Sequence, residues 1–151
     1  MAAAGVPAFC WEQAQGLLRA KPQFEAAGFR LAVVSIGSPE GGREFCAAAP
    51  FPPEQLLLDG DHALHRHVGC VEGFKSMFSP KTWEAMRARE WDEFKSLLGR
   101  YKMIAPKTVE ATAVMGGVWV LDGDQCLYEF KDSGPGVHAP LTDVLAAVKA
   151  A

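Results

Sequence analysis

Apolar residues in the first third of the chain recur at helical spacing and then close up into a continuous run. Trp11, Ala14, Leu17, Leu18 and Phe24 share one face of a helix predicted over residues 10–27, which Gly28 stops. The segment from Phe29 to Ile36, dense in Leu, Val and Ile, predicts a buried strand. Gly37-Ser38-Pro39-Glu40 then reads as the cap of a short helix carrying Phe45. Pro50, Pro52 and Pro53 interrupt the pattern before a second short strand, Gln55 to Leu58, and Asp59-Gly60-Asp61 opens a helix that ends at Gly69. Between Lys81 and Tyr101, the positions of Trp83, Met86, Trp91, Phe94, Leu97 and Tyr101 predict one or two amphipathic helices. Val118 to Leu121 and Cys126 to Lys131 alternate as two strands around the hairpin signal Asp122-Gly123-Asp124. Pro140 opens a terminal helix through Val144, Leu145 and Val148.

From its first long helix onward, helix–strand–helix–strand followed by hairpin–helix is the order of a thioredoxin-like α/β fold, a three-layer sandwich around a mixed sheet. That fold feeds a strand directly into the first long helix. Residues 1–9 are too short and too rich in Ala, Gly and Pro to supply it, so the expectation is a single domain over residues 1–151 with its front truncated.

Composition narrows the function classes. The chain has 151 residues, 49% of them hydrophobic and 22% charged, enough for one core. A net charge of −3 provides no electrostatic footprint for nucleic acid. Apolar runs such as Leu31-Ala32-Val33-Val34 are far too short for a transmembrane segment. Met1-Ala2-Ala3-Ala4-Gly5 lacks the basic and apolar regions of a secretory signal. Cys10, Cys46, Cys70 and Cys126 are irregularly and widely spaced, which argues against a disulfide framework and for free thiols in a reducing intracellular compartment.

The candidate chemistry centres on Cys10. A thiol in the first turn of a helix meets unpaired N–H groups and the positive end of the dipole, which favours thiolate. Redox folds place Cys-x-x-Cys at this point, but here Pro7 stands three residues before Cys10. Cys46, Cys70 and Cys126 read as buried, inert thiols. Asp59, Asp61, His62, His65, His67 and Cys70 form a cluster of potential ligands, but their spacing matches no zinc motif, and a solvated helix explains them; no metal and no cofactor is expected. Ser35-Ile36-Gly37-Ser38 is explained by capping rather than phosphate binding. The aromatic stripe Trp83, Trp91, Phe94 and Tyr101 reads as core. The basic residues around it (Lys81, Arg87, Arg89, Lys95, Arg100, Lys102 and Lys107) suit an anionic substrate, an acidic partner or a solvated surface.

Several motifs together carry a family resemblance. They are Phe9-Cys10-x-Glu12-Gln13-Ala14, Lys21-Pro22-x-Phe24-x-Ala26-Ala27-Gly28, Ser35-Ile36-Gly37-Ser38-Pro39-Glu40, Gly116-Gly117, and Leu127-Tyr128-x-x-Lys131-Asp132-x-Gly134-x-Gly136-x-His138-Ala139-Pro140-Leu141. In order and spacing the chain resembles the peroxiredoxin-like 2 group of the AhpC/TSA superfamily, which includes prostamide/prostaglandin F synthase-like proteins; plant and algal plastid-type members look closest. Aligned on Lys21-Pro22, Cys10 takes the second cysteine position of the family motif and Pro7 the first.

The resemblance implies a thiol-dependent oxidoreductase or antioxidant protein that reduces peroxides or endoperoxides, with Cys10 as its catalytic thiol. Its partners would be a small-molecule peroxide and a thiol donor, in the chloroplast or cytoplasm. It also implies that the Gly134–His138 loop is a structural turn near the sheet edge, away from the thiol. The reading from a different class is a catalytically silent thioredoxin-like module that binds a protein partner through an exposed sheet edge, or serves as a subunit of a larger assembly.

Overall fold

Helix α1 runs from Val6 to Ala26, so it begins before Cys10 rather than at it. The computed structural model describes residues 6–48, 51–70, 80–89, 91–92, 95–96 and 114–151. After α1 come β1 (Val33–Ser35), α2 (Pro39–Ala48), a 3-10 turn at Pro53–Gln55, β2 (Leu56–Leu58), α3 (Ala63–His67), α4 (Pro80–Arg87), β3 (Gly117–Asp122), β4 (Gln125–Lys131) and α5 (Leu141–Ala150). The mixture of helices and small sheets is that of an α/β fold. Phe94, Leu97, Arg100, Tyr101, Lys102 and Lys107 lie outside the described residues.

Local chemistry sets each boundary. α1 ends because Gly28 adopts φ +85°, the left-handed conformation that spares glycine a Cβ clash. The Phe29 amide then donates to the Phe24 carbonyl at 2.9 Å and the Gly28 amide to Glu25 at 3.0 Å, while both phenylalanines pack in one core. This is the paired-bond, apolar-contact stop of a Schellman motif. α2 starts where the Ser38 hydroxyl accepts from the Gly41 amide at 3.2 Å with Pro39 in its first turn, so the Gly37-Ser38 segment is a cap as expected.

Among the described residues the strands form two pairs. β1 and β2 run parallel, with Val33 opposite Leu56 and Ser35 opposite Leu58. β3 and β4 form the expected antiparallel hairpin, with Val118 opposite Phe130 and an irregularity after Val120. The regular strands are shorter than the apolar run predicts at β1, three residues within Phe29 to Ile36.

Two principal cores hold these pieces. In one, Ala20 and Phe24 of α1 meet Val120 of β3, Ala139, and Val144 and Val148 of α5, with Val118, Tyr128 and Phe130 closing the hairpin face. In the other, Trp11 of α1 and buried Phe51 gather Phe45, Cys46, Val33 and Leu56. Trp11 meets the edge of Phe45 with ring centroids 5.0 Å apart. α1 is therefore the shared wall of both. The aromatic stripe departs from the core expectation: Trp83 and Trp91 are exposed. No helix among the described residues is long and apolar enough to cross a membrane.

Candidate active site

Successive residues of an α-helix point about 100° apart, so Trp11 and its neighbour Cys10 address different surroundings. Trp11 enters the core with Cys46, while Cys10 lines a small cavity with Phe9, Met115, Gly116, Asp132, Gly136 and His138. The Gly134–His138 loop therefore lies beside the thiol, which corrects the expectation that it lies away from it.

The chain after β4 makes this approach possible. The Asp132 amide donates to the Gly116 carbonyl at 3.0 Å, carrying the hairpin pairing one residue beyond β4. A turn follows, closed by the Val137 amide on the Gly134 carbonyl at 3.1 Å, with Gly136 at φ +75°. His138 is thereby folded back so that its Nδ1 lies 2.9 Å from Asp132 Oδ2. An ionised carboxylate only accepts, so Nδ1 is the donor and, in the neutral ring, Nε2 carries the free lone pair. That Nε2 is buried and has no hydrogen-bond partner among the described residues, and the whole side chain is 12% exposed.

Polar contacts fasten the loop to α1. Gln13 Nε2 reaches the Ala139 carbonyl at 3.5 Å. Arg89, just past α4, is 6% exposed and pairs with Glu12 of α1 at 2.9 Å while donating to the Gly136 carbonyl at 3.4 Å. Its guanidinium carbon also lies 4.2 Å from the centroid of the Phe9 ring, a cation–π contact. Arg89 thus leaves the basic surface expected for this segment and becomes a buried clamp, whereas Lys81, Arg87 and Lys95 are exposed.

The electrostatics of Cys10 differ from the expected dipole-primed thiolate. With α1 starting at Val6, the sulfur lies beyond the first turn, where the dipole effect has largely faded. Cys10 keeps accessible surface as a residue, but its neighbours crowd the thiol itself. That desolvation, reinforced by the Asp132 charge and partly offset by a backbone hydrogen bond, pushes the thiol up to about 11. At pH 7 only about one such thiol in 10⁴ is ionised, so activation must come from a neighbouring group if it comes at all.

Cys10, Cys46 and Cys126 are free thiols. Cys70 is buried and Cys46 half-buried, the latter raised by desolvation and then by Glu54. Cys126 is exposed, contrary to the expectation of a buried thiol, because its β4 position faces solvent. Around the former ligand cluster, Asp59 accepts from the Leu64 and His65 amides and from the His65 ring, holding the start of α3. No three His, Cys, Asp or Glu side chains converge as metal ligands among the described residues.

In the sequence Asp132 and His138 stand in one motif whose loop reads as a structural turn, because nothing local signals that they meet Cys10 from the other end of the chain. A family model of the AhpC/TSA antioxidant enzymes matches residues 16–134. The chain belongs to this family. AhpC/TSA proteins are thioredoxin-like, and the membership sets the general chemistry as that of a peroxiredoxin-like thiol oxidoreductase. The matched span starts after Cys10 and ends before His138, so the meeting of those two residues is an observation independent of the family match. No curated protein and no solved structure matches the chain.

Proposed function

We propose that this AhpC/TSA protein is a peroxiredoxin-like enzyme in which Cys10 reduces peroxides or endoperoxides, the chemistry of the prostamide/prostaglandin F synthase-like group, on a three-layer thioredoxin-like domain. The observation that carries this reading is the sharing of one cavity by Cys10 and the His138–Asp132 pair. With a hydroperoxide the sulfur attacks the terminal oxygen; the S–O bond forms as the O–O bond breaks. The thiol is oxidised by two electrons to sulfenic acid, and the peroxide is reduced to an alcohol or water that takes up the thiol proton. With Pro7 at the first cysteine position of the motif, an external thiol then attacks the sulfenic sulfur, releasing water, and a second external thiol frees Cys10 from the mixed disulfide. A reducing compartment, chloroplast or cytoplasm, supplies such thiols.

Dilute peroxide together with a sulfenic-acid trap should add one trap adduct at Cys10, read by intact and peptide mass, and Cys10→Ser should lose it completely. Absence of the adduct at every peroxide concentration defeats the enzymatic reading. The upward shift of the Cys10 thiol favours the second reading, a silent thioredoxin-like module that binds a protein partner.

A further inference from the structure

The cavity beside Cys10 is also lined by a base. Asp132 accepts the hydrogen bond of His138 Nδ1–H, which leaves Nε2 as a lone-pair acceptor in the neutral ring, and among the described residues this buried atom has no donor. An unpaired buried acceptor is costly to keep, so a donor is expected in reach of it. The cavity, about 10 Å³, has room for about one water molecule, and Cys10 is among the residues that line it.

We propose that His138, oriented by Asp132, is the proton acceptor for Cys10, acting through a water molecule in the small cavity that both residues line. The inference rests on Cys10 being the reacting thiol. The S–H bond breaks as its proton passes through the bridging water to Nε2, and the sulfur electron pair attacks the peroxide. When the O–O bond breaks, Nε2–H returns the proton to the departing oxygen, so thiol and hydroperoxide become sulfenic acid and alcohol with atoms and electrons balanced. Activation then comes from an adjacent base instead of a helix N-terminus. The transfer also answers the local electrostatics: once His138 is protonated, its pair with Asp132 carries no net charge, and the anion that opposes the thiolate is offset. Among the described residues, Arg89 and Glu12 are also bonded into this corner, and their charges are opposite.

The test is alkylation of Cys10 by iodoacetamide, read by site-resolved peptide mass, in the unmutated chain and in His138→Gln. At about pH 7 the variant should react at least about ten-fold more slowly. The gap should close as the pH approaches about 11, where the thiol ionises without help. Equal rates at neutral pH, or a slowdown of the same size at every pH, overturn the proposal. If His138→Gln does not fold, Cys10→Ala supplies the second measurement: the imidazole ¹⁵N shifts of His138 should move on loss of the thiol, and unmoved shifts overturn it. The two failures are separable. A His138-dependent alkylation rate without peroxide oxidation leaves the base standing and removes the peroxidase reading; peroxide oxidation equally fast in His138→Gln does the reverse.

Discussion

Two imidazole–carboxylate pairs in this molecule are built alike and serve different ends. In each, an aspartate accepts from the Nδ1 of a histidine six residues further on, at 2.6 Å for Asp59–His65 and 2.9 Å for Asp132–His138. Asp59 spends its remaining acceptor capacity on the Leu64 and His65 amides, which would otherwise be unpaired at the start of a helix. Burial alone would raise its carboxyl, but the hydrogen bonds from the His65 ring and from the two amides override this and hold it far below the usual carboxylate range. The pair is a local fastening between β2 and α3. Asp132–His138 holds no helix end; it holds a ring whose Nε2 has no partner among the described residues, beside a cavity that His138 and Cys10 both line. The pair itself is chemically neutral as to role. Its second nitrogen, and what the tertiary fold brings to that nitrogen, decides whether it is a fastening or a base.

The strongest way to break this contrast is through the packing that includes Ala139, next to His138 of the second pair. Phe24→Ala empties the core between α1, the hairpin and α5, and should lower unfolding stability by about 3–5 kcal/mol in urea titration. A loss below about 1 kcal/mol would mean that this core does not hold α1 against the loop that carries His138.

A smaller effect separates the pairs by pH. The Asp59 carboxyl is depressed from its ordinary 3.8, so its stabilisation is full above that value and is lost as the pH falls through the depressed folded-state value. Asp59→Asn should therefore melt several degrees below the unmutated protein at neutral pH, and the difference should shrink as the pH is lowered below about 4. A difference that stays constant into acid would show that the carboxylate charge is irrelevant there.

The smallest expected effect is the sharpest for the comparison. His65→Gln alters a pair of the same chemistry and should leave Cys10 alkylation at neutral pH within about two-fold of the unmutated rate. A fall as large as that expected for His138→Gln would dissolve the distinction between the two pairs.

Much of the fold was legible from residue order because its signals are local. Gly28 and Phe29 announce the stop of α1, Ser38 the cap of α2, Gly123 the hairpin turn and Pro140 the start of α5; each acts within a few residues of itself. Strand lengths were less legible, since an apolar run such as Phe29 to Ile36 marks burial and not the three positions that find a pairing partner. Trp83 and Trp91 show the same limit, for helical spacing of aromatics does not say whether anything covers them.

Element order, the family motifs and the interest of Cys10 are all readable from the residues alone, because propensity, capping and turn chemistry are short-range and leave their marks in adjacent residues. The environment of that thiol comes from the fold. Arg89, Glu12 and Gln13 draw α1 onto the loop after β4, and this sets Asp132 and His138 beside Cys10. Desolvation and Coulomb terms depend on distance through space, so no reading of the order of residues could tell a thiol facing a buried carboxylate and a base from one resting at an open helix end.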